Sequence, residues 1–493
     1  VIAGARAALL ALVLSMLLLH ADSPTLDAIY PPGAALGSSN VITLSGKFEP
    51  WPPKVWMSVS GLEFIAQTNK GKFALIVGTN ASPGPRLVRI YNEDGVSEPR
   101  FFVVGSGREV IDTETNNHFG SAQPIGDLPV TINGRLEKGG DVDSFAVHVK
   151  AGQWLDARVD SYTMMSKLDG VLRLVTTNGQ QLAWNHDFAT LDPRLIWRAE
   201  SNTDAVVQIY GFPHPATSDV KLYGGDSAFY RLHIAADDQD PLNDCPLHSG
   251  SLLFETNSLL ISNSEPRYQF TAAKDEFVEV KAAAGVLGSP LDAWLKIEDA
   301  AGKEVARNDD AAGNRDPSLE WKAPTNGTYT VVLGSVTHRG GPDYRYHLTV
   351  QPLSPDFRAS LAGNSLTITP DSTNSIKLSV KRLRGHTNEL IATVKDLPEG
   401  VTALSTNIPS NNSDVSVQLV TATNAPAFAG PVQIQLTDST TKEERVVPFT
   451  LTSRSEDNGV PGGYTALLID HLDHLWLTVK PKPPEKPKET AKK

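Results

Sequence analysis

The 493-residue chain has a single cysteine, Cys245, so no intramolecular disulfide framework can hold it together. Basic residues are outnumbered, 44 against 56 acidic ones, for a formal charge of −12. That argues against nucleic acid as the partner, which needs a basic stripe of Lys and Arg. Charged residues make up only 20% of the chain, which leaves little for long solvated helices. No apolar run reaches the roughly 20 residues of a membrane-spanning helix. The longest, Ala7 to Leu19, follows Arg6 and ends at His20 and Ala21, the order of a secretory signal with cleavage after residue 21. Catalytic signatures are missing as well: no H-E-x-x-H helix, no G-x-S-x-G elbow, no phosphate-cradling glycine loop, and no Cys with a spaced His.

What the chain does have is 38 Gly and 34 Pro punctuating short alternating apolar runs. Phe145, Val147 and Val149 alternate with Ser144, His148 and Lys150; Tyr344, Tyr346, Leu348 and Val350 alternate with Arg345, His347 and Thr349. Period two predicts strands with one face in a core and one in water. The fold class expected is all-β: antiparallel sandwiches, jelly-roll-like and immunoglobulin-like, in a multidomain chain.

An internal repeat divides the chain. At an offset of 123 residues, Leu168 and Asp169 fall on Leu291 and Asp292, and Asn185 and Asp187 on Asn308 and Asp310. One residue later in register, Asp192, Pro193, Leu195 and Trp197 fall on Asp316, Pro317, Leu319 and Trp321. Two copies of one domain follow, over 106–236 and 250–352. An immunoglobulin-like domain is expected over 25–105. Another, over 353–479, has predicted strands at Ser365 to Ile368, Ser375 to Val380, Leu390 to Val394, Val415 to Val420, Val432 to Leu436 and Val446 to Leu451. Gly459 to Val479 reads as a closing hairpin or a short helix, strand being preferred, and the Lys/Pro-rich stretch 480–493 as a disordered tail. The modules are expected to form a row.

Glu109 to Gln153, EVIDTETNNHFGSAQPIGDLPVTINGRLEKGGDVDSFAVHVKAGQ, resembles the start of the bacterial pre-peptidase C-terminal domain. Ser289 to Trp321, with its leucine-aspartate pair and N-D-D loop, resembles the middle of that domain. The flanking regions look like an IPT-type domain and a further immunoglobulin-like module. The resemblance implies a jelly-roll-like sandwich that serves as a non-catalytic appendage of secreted peptidases or as part of large extracellular bacterial proteins.

The residues themselves point to a calcium site in the first copy. In an extended segment Asp112, Glu114 and Asn116 share a face, with Asn117 beside them, and Asp141 and Asp143 repeat that spacing. A hard divalent cation takes six to eight such oxygens. The resemblance adds that related collagen-binding modules ligate calcium with this lead-in and acidic pair. The chain departs from that pattern at Asp112, where Glu is usual, and at Asn117, where Asp is usual. In the second copy Ser264 and Pro266 replace the acidic pair, so no second ion is expected there, although Asp237, Asp240 and Asp244 keep the linker acidic.

A second candidate surface is the loop Asn185, His186 and Asp187 with its counterpart Asn308, Asp309 and Asp310, either ligand contacts or Asx turns. Trp197 and Trp321 are expected in the core. Trp184 lies opposite Arg307 in the repeat; it is either buried, the reading preferred, or a stacking platform for a sugar or peptide. The function expected is an exported, non-enzymatic binding or structural module, periplasmic, cell-surface or secreted, with an extracellular protein or polysaccharide as its ligand. The accessory region of a secreted peptidase and a carbohydrate-binding module remain alternatives.

Overall fold

A computed structural model describes residues 22–188, 190–214, 221–241, 253–311, 315–452 and 468–481. The signal segment, Cys245, Asp244 and most of the Lys/Pro tail lie outside them. Among the described residues strands carry nearly everything; the helical content is single 3-10 turns such as Tyr162–Met164 and Gly285–Leu287.

Sheets pair into sandwiches along the chain, each around its own core. In the N-terminal sandwich two four-stranded sheets enclose Ile42, Phe73, Leu75, Val88 and Phe102. Pro31 and Pro32 separate its strands Thr25–Tyr30 and Gly33–Ala35, since a proline cannot donate to a ladder. The first repeat has two five-stranded sheets around Phe145, Leu155, Leu172, Val207 and Leu232. The second has two four-stranded sheets around Val280, Leu295, Trp321 and Leu348. The C-terminal sandwich packs a four-stranded sheet on a larger one around Leu378, Leu390, Val417 and Ile434.

The repeats share one strand order, and the first adds two short strands to it. Glu109–Ile111 pairs in parallel with Val130–Arg135, and Gln123–Pro124 in parallel with Asp143–Val149. The acidic lead-in is therefore a strap crossing from one sheet to the other at the mouth of the sandwich. The second repeat has no counterpart to these rungs among its described strands.

Four expectations need correction. The strand Arg345–Leu353 is buried on both faces: His347 and Thr349 are covered much as Tyr346 and Leu348 are, and the side chains of Asn257 and Glu255 on the paired strand Phe254–Leu259 flank the His347 ring at 2.8 Å and 3.3 Å. The run Val446 to Leu451 breaks at Val447 and Pro448 into Glu444–Val446 and Phe449–Thr452, as a proline in a ladder dictates. Leu468–Leu472 and Leu475–Val479 are strands but not a hairpin. The first pairs with Phe449–Thr452; the second joins Phe428–Asp438 and, in parallel, Ser365–Ile368.

The fourth correction is that the modules are not a simple row, because the first and last sandwiches touch. Arg89, 1% exposed, donates to the carbonyl of Ser97 and to Asn364 Oδ1 at 2.9 Å, and stacks on Trp476. Trp56 and Tyr91 pack on the same indole. A further apolar cluster joins Ala28 and Phe101, Met164 and Phe229, and Leu451 and Leu472, drawn from three sandwiches. No helix among the described residues is long and apolar enough to cross a membrane.

Candidate metal centre in the first repeat

The strap is fixed at its base before it carries any ligand. Glu109 and Arg231 form a buried ion pair at 2.7 Å, and Asn133 bonds both, at 2.7 Å and 2.6 Å. The Asp112 amide continues the ladder onto the Asn133 carbonyl at 3.0 Å. Beyond Ile111 the chain leaves the strand, so loop folding, rather than strand alternation, brings the acidic residues together. Gln123 clamps that loop, accepting from the Thr113 amide at 2.9 Å and donating to the Ile111 carbonyl at 3.0 Å.

Carboxylate oxygens of Asp112, Glu114 and Asp143 lie within 4.8 Å of one another. Asn116 is 1% exposed and donates to Asp112 Oδ1 at 2.8 Å, while its own Oδ1 has no partner. Asp143 is fully buried; Tyr230 donates to its Oδ2 at 2.6 Å, and its Oδ1 is also without a partner. Gly134 makes that contact possible, because a Cβ there would stand 2.1 Å from the Tyr230 ring. A buried oxygen without a donor costs about 1–3 kcal/mol, and this cluster has two, one on Asn116 and one on Asp143 itself.

The electrostatics agree. Burial, then the charge of Asp112, pushes the Asp143 carboxyl up to about 9. Asp112 rises to about 6, mainly by burial, with the Asn116 bond opposing and Asp141 adding to the rise. Glu114, exposed as a residue, rises to about 7 through partial desolvation of its carboxyl and the charges of Asp141 and Asp112. Tyr30, from the N-terminal sandwich, feels the same field; burial and Asp112 lift its phenol to about 12. Arg135 lies over that ring at 4.6 Å, so the cluster sits at the joint between two sandwiches.

The remaining expected ligands fall elsewhere. Asp141 is buried, but its oxygens accept the Glu137 and Val142 amides at 2.7 Å and 3.2 Å, closing the turn before the strand. Its charge reaches the cluster, but its oxygens are not among those that lie within 4.8 Å of one another. Asn117 is exposed at the loop surface. In the second repeat the tyrosine matching Tyr230 is Tyr346, and it meets the Tyr268 hydroxyl instead of a carboxylate. Asp240 there pairs with Arg345, and Asp237 accepts the Gln239 amide at 3.1 Å.

At the second candidate surface the two asparagines do the same work in both repeats. Asn185 Oδ1 accepts the Arg194 amide at 3.0 Å, and Asn308 Oδ1 the Ser318 amide at 3.2 Å, each tying one strand end to the next strand. Asn185 Nδ2 also donates to the Asp187 carbonyl at 3.1 Å. Asp309 and Asp310 are exposed. His186 Nε2 lies 3.1 Å from Asp169 Oδ1, with Asp187 at 3.9 Å from its other nitrogen. Trp321 is core and Trp197 packs on the core. Trp184, for which burial was the preferred reading, is 60% exposed. It stands opposite Arg173 on the outer face of its sheet, where no second layer covers it.

Sequence reasoning missed one pair of residues. Asp192 accepts the amides of Ser161, Tyr162 and Thr163 and the hydroxyls of Ser161 and Thr163. Asp316 accepts the amides of Ala284, Gly285 and Val286 in the same place. The repeated Asp-Pro was visible as a match; the signal for its role was an acidic residue kept beside core positions in both copies.

The chain matches no protein-family model and no curated protein sequence. Among solved structures, it is similar to Escherichia coli alpha-2-macroglobulin activated by porcine elastase at 9% identity and TM-score 0.17, over 91% of this chain and 52% of that one. For tripeptidyl peptidase 2 the values are 11% identity and TM-score 0.17, over 92% and 40%. For the surface layer protein SbsC, domains 1–6, they are 11% and 0.16, over 87% and 54%. The chain thus spans about half, or less, of the structures it is compared with. Similarity this slight carries no argument about function.

Proposed function

We propose that the chain is an exported, non-catalytic β-sandwich protein of the pre-peptidase C-terminal type, whose first repeat is held by a calcium ion. One observation carries the reading: Asp112, Glu114 and Asp143 converge with Asn116 beside them, and two buried oxygens of this group, Asn116 Oδ1 and Asp143 Oδ1, lack a donor. All are hard ligands, and water would complete the six to eight positions calcium takes. The ion would supply charge neutralisation and nothing reactive. Asp143 and Asp112 would hold it from the sandwich and the strap, so the ion would fasten one to the other. The test is calcium titration of the full chain followed by calorimetry. At ten times Kd the first repeat should gain about 1.4 kcal/mol. Glu114→Gln, which removes a ligand that has no role in the fold, should weaken binding. A chain that neither binds millimolar calcium nor changes its melting with it is not held this way.

Export is supported by the Ala7 to Leu19 run, and a mature amino terminus at Asp22 in secreted material tests it. A second reading rests on the exposure of Trp184: an indole open to solvent on a sheet face suits stacking against a sugar ring. Glycan-array binding lost in Trp184→Ala would support it, and glycan binding that survives the substitution would remove Trp184 from it.

A further inference from the structure

In the C-terminal sandwich a cavity of about 610 Å³ opens between two walls. Strands Asp356–Leu361 and Ser372–Leu383 form one; Glu444–Val446, Phe449–Thr452 and Leu468–Leu472 form the other. Val446 and Pro448 give it an apolar side, and its described lining contains no carboxylate.

Two features specify what it would hold. The first is charge. Arg358 and Lys381 stand directly opposite each other in the antiparallel register, and both line the cavity. Like charges directly opposite across a ladder destabilise it. Both side chains are exposed, and neither has a carboxylate partner among the described residues. The next rung on the same face is Ser360 and Ser379, two hydroxyls 2.9 Å apart. Arg445, by contrast, is already neutralised by Asp356 and Glu443. In a chain of net charge −12, this pair is a local cationic surplus over a rung of hydrogen-bonding hydroxyls.

The second feature is a single open rung on a backbone edge. Asp356–Leu361 is the outer strand of its sheet. Its Leu361 amide turns away from the sheet to the Pro448 carbonyl at 2.8 Å, and its Phe357 carbonyl turns the same way to Arg445 at 2.7 Å. Alternation then aims the Ala359 amide and carbonyl outward too. Its partner Val380 confirms the phase, since the Val380 amide bonds Ser413 on the opposite side. Between two satisfied neighbours Ala359 thus presents one free donor and one free acceptor at the cavity.

We propose that this cleft binds an extended acidic peptide segment of a partner protein. The segment bonds the one open rung, Ala359, through its main chain, places a carboxylate between Arg358 and Lys381, and rests an apolar side chain on Val446 and Pro448. Main-chain pairing at a sheet edge gives affinity, and the side-chain sites give selectivity. The site is independent of the calcium cluster, so either reading can fail alone.

The test is fluorescence anisotropy of the full chain with a labelled peptide of alternating glutamate and valine. A lysine-valine peptide and polygalacturonate serve as comparators. The acidic peptide should bind, more weakly as salt is added, and the basic one should not. Arg358→Glu should weaken binding by about tenfold or more, while thermal stability holds or rises because a repulsive pair becomes an attractive one. Ala359→Pro removes an amide that no ladder bond uses, so the sandwich should stay folded and lose the peptide. Absence of acidic-peptide binding at low salt, equal binding by the Arg358→Glu chain, or stronger binding of polygalacturonate than of the peptide would overturn the proposal.

Discussion

Replacing Asp192 with alanine should unfold the first repeat far more easily than the loss of one exposed-looking acidic residue suggests. Its carboxylate is 8% exposed and receives five hydrogen bonds, three from amides and two from hydroxyls, at 2.7–3.0 Å. Those donors belong to the 3-10 turn Tyr162–Met164 and its lead-in, which cannot form them elsewhere because the turn's own amides face the carboxylate. In the alanine variant three amides lose their acceptor at once. At about 1–3 kcal/mol for each of the buried Ser161 and Tyr162 donors left unsatisfied, with water satisfying those of the exposed Thr163, the cost is about 3–5 kcal/mol. Asp192→Asn keeps one acceptor oxygen but turns an NH2 toward the Thr163 donors, so it should fall between, at about 1–3 kcal/mol. Differential calorimetry of the full chain reads the loss as one transition moving to lower temperature. Amide hydrogen exchange assigns it, with Ser161, Tyr162 and Thr163 losing protection first. A shift worth less than about 1 kcal/mol for the alanine variant, or protection retained at those three amides, would refute the reasoning.

Trp184→Ala should change stability by less than about 0.5 kcal/mol, whereas Trp321→Ala, at 8% exposure in a core, should cost about 3–5 kcal/mol; denaturant melts of the two variants check the contrast. For Asp438, burial would raise the carboxyl, but bonds from the Thr441 amide, Asn388, His386 and the Thr440 amide overcome it and hold the group well below the usual carboxylate range. A depressed folded pKa contributes stability that is full above the unfolded value near 4 and is lost as pH falls through the folded one. The C-terminal sandwich should therefore weaken in acid below about pH 4, and Asp438→Asn should be weaker at neutral pH with a flatter acid limb; acid titrations followed by tryptophan fluorescence read both.

How far the sequence spoke depended on the range of the interaction. Ser365–Ile368 and Leu390–Lys395 fall where alternation put them, because period two is a local property of a half-buried strand. Alternation misled at Arg345–Leu353, where side chains of the paired strand flank the polar face too; that cover is long-range and leaves no local trace. Pro448 was in plain view, yet the apolar residues around it outweighed it in the reading of one continuous strand. The contact of Arg89 with Asn364 spans 275 positions and could not be read from either segment. For the acidic cluster, spacing picked out Asp112, Glu114, Asn116 and Asp143 on a strand geometry that the loop beyond Ile111 does not have. It could not separate them from Asp141, whose oxygens are used by the amides of its own turn. Trp184 lacked a core counterpart in the second repeat, and its exposure fits that mismatch.

The most direct test of the account is isothermal titration of calcium into the full chain, with Asp112→Asn and Asp143→Asn measured beside it. The account predicts one site, with Kd about 10⁻⁴ to 10⁻³ M or tighter, lost in both variants while the second repeat melts unchanged. Calcium binding of parental strength in either variant, or none in the parent chain, would contradict it.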